Sequence, residues 1–233
     1  MVATGWSFWN YENEDTTRFS NSLEQIASRQ AAAEMEGSKI KAIGRGLKNR
    51  TTLIGALFIF AYQGAEVSES GWFISYLIDY RNGDPARVGY VTSGFWAGIT
   101  LGRFILTHFA ARIGEKRFVS VLGVGSIAFQ VLAWQVPSII GDAVFVSVLG
   151  LLLGPIYPCA QTVFTRLLPS SVQVFAIGFI SSAGSSGGAV VPFLTGLLAQ
   201  APGTYVLHPI CISFFGLMLG CWFGLPRLVK RTE

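Results

Sequence analysis

Charged side chains are scarce in this chain. Asp, Glu, Lys and Arg make up 13% of its 233 residues, against about 25% in an ordinary soluble domain. Hydrophobic residues make up 51%. The shortage of charge excludes a typical soluble domain and indicates an integral membrane protein. The net charge of +4 does not indicate a nucleic-acid partner, because the basic residues follow loop positions and no nucleic-acid motif is present.

Metal ligands and enzyme motifs are also lacking. The two histidines are far apart, and the three cysteines, Cys159, Cys211 and Cys221, lie singly inside apolar stretches. We therefore predict neither a disulfide framework nor a metal site. The sequence contains no phosphate-binding loop and no His-Glu-x-x-His motif. We predict no enzyme activity and no cofactor.

Long apolar segments dominate what is present. Each approaches or exceeds the ~20 residues of helix that cross a ~30 Å hydrocarbon core, and each is continuous rather than alternating, which argues against strands. We predict an all-α polytopic membrane protein in the lipid bilayer. A cytosolic segment covers residues 1–50, a transmembrane domain of six helices covers 51–226, and a cytosolic tail covers 227–233. The predicted spans are 51–80, 88–110, 118–136, 139–165, 172–200 and 204–226.

The positive-inside rule gives this topology an orientation. With the N-terminus in the cytosol, the cytosolic segments contain 14 Lys and Arg residues and the outer loops contain 2. We predict that both termini are cytosolic. The plasma membrane and the vacuolar membrane both remain open as the location.

The six spans can be grouped as two sets of three. In the first span, Gly64, two glutamates and Gly71 are predicted to interrupt the helix, and the stretch GPIYP at 154–158 interrupts the fourth. The second and fifth spans are rich in small residues, which allow close helix packing in lipid. Interrupted spans at matching positions are typical of transporters, so we predict two inverted three-helix repeats.

Two carboxylates inside the first span are the strongest site signal. A charge at this depth costs on the order of 3 kcal/mol, so Glu66 and Glu69 should face protein or water. They are three residues apart and lie close to one helical face, which aromatic residues flank. Such a face suits a polar organic solute. The predicted substrate-binding residues are Gln63, Glu66, Glu69, Trp72, Tyr76 and Gln161.

Alternatives remain for these charged residues. Either glutamate could also carry a proton, and Glu66 is the candidate for proton coupling. Glu66 could instead pair with a neighbouring helix, and Glu69, nearer the outer end, could have a vestibule or structural role. Arg103, near the cytosolic end of the second span, is interpreted as a snorkelling or loop-pairing residue rather than a ligand.

The loop after the second span reads THFAARIGEKRF. It resembles the cytosolic loop signature of the major facilitator superfamily, in which a glycine is followed after three residues by Asp-Arg, any residue, Gly and a basic cluster. Three positions depart from that pattern: Thr107, Ala111 and Glu115. Four match it: Arg112, Gly114, Lys116 and Arg117.

Two further stretches, GAEVSESGWFISYLIDYR and SGFWAGITLGR, are similar to spans seven and eight of fungal members related to sugar permeases. They resemble the fucose-permease-like group that includes the bypass-of-stop-codon proteins. Members of the superfamily have twelve spans in two halves, with the substrate cavity between the halves. The resemblance therefore implies that this chain is the carboxyl-terminal half of such a transporter.

This resemblance implies secondary active transport of a small polar solute by alternating access. A sugar-like solute and proton coupling are the specific forms of that expectation. The implied partners are the solute, an N-terminal six-helix half or a second copy of this chain. The alternative from another class is a non-transporting half-molecule that assembles with or regulates a full-length transporter, or a truncated product.

Overall fold

The computed structural model describes Gly44, residues 49–201 and residues 203–226. Apart from Gly44, Asn49 and Arg50, the predicted cytosolic segment 1–50 lies outside the described residues, and so does the tail 227–233. Within the described part the chain is all helical. The helices discussed below belong to the unit Gly46–Glu233.

Eight α-helices and one short 3₁₀ helix, Thr204–Val206, form this part of the chain. Side-chain caps fix several starts: Asn49 precedes the first helix, and Asp84, followed by a proline, precedes the second. The helices are α1 (Arg50–Asp79), α2 (Pro85–Ile105), α3 (Thr107–Ile113), α4 (Glu115–Gln135), α5 (Ile139–Leu153), α6 (Ile156–Leu167), α7 (Gln173–Ala199) and α8 (Leu207–Gly224).

The six predicted spans are all helical. Four stretches are long and apolar enough to cross a membrane: Glu115–Gln135, Ile139–Leu167, Gln173–Ala199 and Thr204–Gly224. The other two spans are α1, with 30 residues, and α2, with 21. Both have sufficient length, but α1 carries Glu66 and Glu69, and α2 carries Arg87 and Arg103. The predicted fold class is confirmed.

The expected interruption of the first span is wrong. Helix α1 runs unbroken through Gly64, both glutamates and Gly71. Glycine and glutamate keep their backbone N–H groups, so the helical hydrogen-bond ladder can continue through them. The fourth span does break, because Pro155 and Pro158 each remove a donor. Helix α5 ends at Leu153 and α6 begins at Ile156.

The packing has the symmetry of two inverted three-helix repeats. Helix α1 packs most extensively on α7 and then on α8, while α5 packs most extensively on α2 and then on α4. The first triplet consists of α1, α2 and α4, and the second of α5 with α6, α7 and α8. When α1 is exchanged with α5, α2 with α7 and α4 with α8, the first set of pairs becomes the second. The remaining large contact, between α4 and α8, maps onto itself. The second and fifth spans are therefore the close neighbours of the first span of the opposite triplet.

Glycine allows these close pairs to form. In α2, a Cβ atom on Gly98 would collide with the Ser147 carbonyl oxygen, and one on Gly102 would collide with the Leu151 carbonyl oxygen. In α7, a Cβ atom on Gly187 would collide with the Phe60 carbonyl oxygen of α1. Backbone therefore meets backbone in both pairs, as is common for helices that associate in lipid.

Candidate functional site

Glu66 lies at the junction of α1, α2 and the break between α5 and α6. It is buried, and its Oε1 is 4.0 Å from Nη2 of Arg103 in α2. The Arg103 side chain is half exposed, so the pair opens on one side to the surface of the bundle. A carboxylate and a guanidinium at this position can both bind the hydroxyl groups of a polar solute.

The helix break helps to position Arg103. Pro158 has no N–H, so the Gly154 carbonyl lacks the donor that would lie four residues later in a helix. Arg103 supplies a replacement, because its Nε donates to the Gly154 oxygen at 3.3 Å. Tyr62 supports the same segment by donating from its hydroxyl group to the Leu153 oxygen at 3.1 Å. Side chains of α1 and α2 therefore bind the backbone of the broken span.

Tyr157 and Gln161 extend this region along α6. The ring of Tyr157 lies 6.1 Å from the ring of Tyr62, centroid to centroid, and is half-buried. Gln161 is also half-buried, and its Nε2 donates to Ser181 Oγ of α7 at 3.4 Å. Its Oε1 has no protein partner. We name the set Tyr62, Glu66, Arg103, Tyr157 and Gln161 the arginine site.

Two of the predicted residues on α1 face α7 instead. Gln63 lies against Gly184 of α7, and the Trp72 ring lies against Gly196. The Trp72 Nε1 donates to the Pro192 oxygen at 3.0 Å. Both side chains are half-buried. These residues therefore belong to the packing surface between the two helices and do not join the pair formed by Glu66.

The remaining two predicted residues lie on the side of α1 that faces α4 and α8. Glu69 is fully buried, and its Oε2 accepts a hydrogen bond from Gln130 Nε2 of α4 at 3.0 Å. Tyr76 is also fully buried and contacts His208 of α8 edge to face, with ring centroids 4.4 Å apart. The structure thus divides the predicted strip into three groups.

Sequence reasoning missed three functional candidates. Arg103 was interpreted as a snorkelling residue, and Gln130 and His208 were not proposed as site residues. Each is a polar residue within an apolar span, which is the signal that could have identified it. What the sequence does not show is the partner, because each of these residues pairs with α1 across a long separation in the chain.

The loop between α3 and α4 connects the predicted cytosolic ends of several helices. Gly114 has φ of 93°, a left-handed conformation that favours glycine. Glu115 Oε1 pairs with Arg166 Nη1 of α6 at 2.9 Å. The Lys116 Nζ donates to the Leu225 oxygen, beyond α8, at 2.7 Å. The Arg112 and Arg117 side chains are exposed. The departure from the signature at Glu115 therefore supplies a salt bridge.

No group of three or more His, Cys, Asp or Glu side chains that could hold a metal ion occurs within residues 49–201 and 203–226. Three features define the class: long apolar helices, a helix broken inside an apolar span, and a buried acid paired with a half-exposed arginine. They are those of a polytopic helical membrane protein with the half-bundle architecture of secondary transporters.

Comparison with known families identifies this class more closely. The family model of the Major Facilitator Superfamily matches residues 45–233. The chain belongs to this superfamily, so the predicted family is confirmed, as is the expectation that it is not an enzyme.

Several curated proteins are similar to this chain. Bypass of stop codon protein 6 of Saccharomyces cerevisiae is 28% identical over 200 residues, which cover 80% of this chain and 40% of that protein. The glucose/mannose transporter GlcP of Bacillus subtilis is 26% identical over 237 residues, which cover 100% of this chain and 55% of that protein. The chain thus spans about half the length of these relatives.

One solved structure shares the fold. The crystal structure of the Escherichia coli fucose:proton symporter FucP matches with a TM-score of 0.68 and 17% sequence identity. The match covers 80% of this chain and 45% of that protein. At this identity the likeness concerns the fold alone.

Proposed function

We propose that this chain forms half of a secondary transporter that moves a small polar solute of the sugar class across a membrane. Membership of the Major Facilitator Superfamily supports transport. The curated relative named as a glucose/mannose transporter supports the sugar class. The solute would bind at the arginine site, on the side of the bundle where the Arg103 side chain is exposed.

The observation that carries this proposal is the pair formed by Glu66 and Arg103 beside the helix break. Glu66 is buried while Arg103 is half exposed, so a solute approaching the open side would meet the guanidinium first. Tyr157 offers a half-buried aromatic ring, and beside it the Gln161 amide oxygen is buried without a hydrogen-bond partner. Rings that cover the apolar face of a sugar and polar groups that bind its hydroxyls are the expected chemistry of such a site.

The second wall of the cavity would come from an N-terminal six-helix half or from a second copy of this chain. Alternating access would then rock one half against the other around the arginine site. Both termini would be cytosolic, in the plasma membrane or the vacuolar membrane. In the competing function, the chain would assemble with or regulate a full-length transporter without transporting a solute itself.

Proton coupling at Glu66 is part of the proposal. Protonation would neutralise the carboxylate and weaken its attraction for Arg103, which would free the guanidinium for the solute or for movement. Coupling predicts that uptake depends on the proton gradient and is abolished by a protonophore. Uptake that follows the solute gradient alone would exclude it.

The test is uptake of labelled hexoses into proteoliposomes that contain the natural full-length product. We expect Glu66→Gln to reduce uptake about tenfold or more, since a hydrogen bond to a charged group is worth about 1.5–3 kcal/mol. The variant should insert normally into the membrane. Asp84→Asn is the matched control, because it removes an exposed carboxylate that also pairs with an arginine. Wild-type uptake by the Glu66 variant would overturn the assignment.

A further inference from the structure

Glu69, Gln130 and His208 form a second polar cluster, where α1, α4 and α8 meet. All three side chains are fully buried. The Gln130 Nε2 is 3.0 Å from Glu69 Oε2 and 3.0 Å from His208 Nδ1. Because a carboxylate needs a donor, the amide nitrogen must be the shared atom, and His208 Nδ1 must then be an acceptor. The proton of the His208 ring is therefore on Nε2, and the ring carries no positive charge.

The acids of the described residues differ in their counter-charges. Glu66, Asp84, Glu115 and Asp142 each have an arginine nitrogen within 4.0 Å. Asp79 is exposed to the surroundings. Glu69 is fully buried, yet no Lys, Arg or His nitrogen in this part of the chain forms an ion pair with it. A buried charge requires compensation, and for Glu69 the protein supplies only neutral partners, the Gln130 amide and the Cys211 thiol.

Unused polar atoms accompany this missing charge. Within the described residues, Glu69 Oε1, Gln130 Oε1 and His208 Nε2 are buried without a hydrogen-bond partner. Such orphaned groups are rare in native proteins and require an explanation. No group of three His, Cys, Asp or Glu side chains that could hold a metal ion occurs here or elsewhere in the described part of the chain. A proton needs only one free lone pair, and Glu69 Oε1 provides it.

We propose that the Glu69–Gln130–His208 cluster is a proton-binding site, separate from the arginine site, and that Glu69 Oε1 takes up the proton. The carboxylate becomes a carboxylic acid, and Gln130 continues to donate to Oε2. The proton is the counter-charge that the helices do not supply. No electron or covalent bond to carbon is involved, and the proton comes from water.

Other titratable groups surround the cluster. On α1, Tyr76 lies against the His208 ring. On α8, the Cys211 thiol lies beside Glu69, with Sγ 3.9 Å from the Ala65 oxygen. Asp142 of α5 is held by Arg81, with Oδ2 3.4 Å from Nε. Tyr76 and Cys211 are neutral in their ordinary forms, and Asp142 already has a cation. Glu69 is therefore the acid in this region that has no positively charged partner.

The two glutamates thus contact different helices. Glu66 contacts Arg103 of α2, whereas Glu69 contacts Gln130 of α4 and, through it, α8. Protonation of Glu69 would change the attraction between α1 and the pair α4 and α8 while leaving the arginine site intact. That this proton drives solute movement rests on the proposed function. The binding of the proton does not.

Infrared difference spectroscopy of the full chain in lipid nanodiscs tests the site directly. Spectra recorded across a pH titration should contain a carboxylic-acid C=O band that disappears as the pH rises. We expect Glu69→Gln to remove one such band, which Glu66→Gln and Asp142→Asn retain; a band from protonated Glu66 would be a separate one, lost in Glu66→Gln and retained in Glu69→Gln. Gln130→Leu, which leaves the acid but removes its donor, should keep the full amplitude of the band and shift its titration midpoint.

Three results would overturn the proposal. The band could persist in Glu69→Gln, could be lost equally in Glu66→Gln, or could be absent from the wild type and replaced by a carboxylate band that responds to Na⁺. If Glu69→Gln fails to fold, the pH titration of Gln130→Leu is the deciding measurement. An unshifted midpoint would mean that the band belongs to an acid other than Glu69. None of these readouts requires transport, so a failure here is distinguishable from a failure of the transport proposal.

Discussion

Glu66 and Glu69 are side chains of the same type, three residues apart on one helix, with different surroundings. Glu66 pairs with an arginine that reaches the open side of the bundle, while Glu69 has an amide partner in the closed interior. Their separation of three residues places them about 60° apart around the helix axis, enough to direct them to different neighbours. Helix α1 therefore lies between two polar regions with different chemistry.

A double-mutant cycle tests the pair formed by Glu66 and Arg103. We expect Arg103→Gln to lower the free energy of unfolding, because it leaves a buried carboxylate without its cation and a backbone carbonyl without its donor. The double variant with Glu66→Gln should be more stable than Arg103→Gln alone. The coupling energy should fall within about 0.5–3 kcal/mol, measured by reversible unfolding in mixed micelles. Additive effects of the two substitutions would mean that the side chains do not interact.

The sequence could identify the residues of the site better than their partners. Glu66 and Glu69 stand out because charge inside an apolar span is costly, whatever the tertiary structure. Which arginine, amide or ring each one meets depends on how α2, α4 and α8 pack on α1. Local spacing carries no information about that packing. The spacing singled out Glu66 as a candidate, but it could not separate Trp72 and Gln63, which contact α7, from the side chains beside Glu66.

At the scale of the helices, the sequence predicted the spans and the broken fourth span well. Apolar length decides where a span lies, and proline removes a hydrogen-bond donor wherever it stands. The error lay in α1, where glycine and glutamate were read as interruptions. Within a packed bundle, Gly64 lies against Val191 of α7 and remains helical. Glycine in such a helix indicates a close neighbour more reliably than a break.

Gly98→Ala tests the close packing of α2 on α5. The added Cβ would collide with the backbone of α5 at Ser147 and Leu151, which cannot move aside as a flexible side chain can. We expect a loss of about 1–3 kcal/mol in the free energy of unfolding. Gly89→Ala is the matched control in the same helix, since a Cβ there meets nothing within 4 Å. Equal stability of the two variants would contradict the observed packing.

At the scale of the whole molecule, each three-helix triplet depends on the other. The first span of each triplet packs on the second and third spans of the opposite triplet, so neither triplet buries its own first span alone. The two triplets should therefore unfold as one unit. The polar regions follow the same plan, because the arginine site combines α1 and α2 of one triplet with α6 of the other.

The predicted orientation can be tested by cysteine labelling. In a variant without the three native cysteines, we expect Ser170→Cys to react with a membrane-impermeant maleimide only after the cells are permeabilised. Arg87→Cys, in the first turn of α2 on the other side, should react in intact cells. Both positions are exposed. The reverse pattern would place the termini outside, against the strong Lys and Arg bias of the predicted cytosolic segments.

The hydrogen bond from Arg103 to Gly154 links two distant positions in the chain. Pro158 leaves the Gly154 carbonyl without a helical donor, and Arg103 replaces it from another helix. Substitutions at positions 103 and 158 should therefore be correlated in evolution. A lineage that replaces the proline regains an N–H for the carbonyl and relaxes one requirement for the arginine. A lineage that keeps the proline must retain a donor at position 103, so covariation between the two columns of a family alignment would be the inherited trace of this contact.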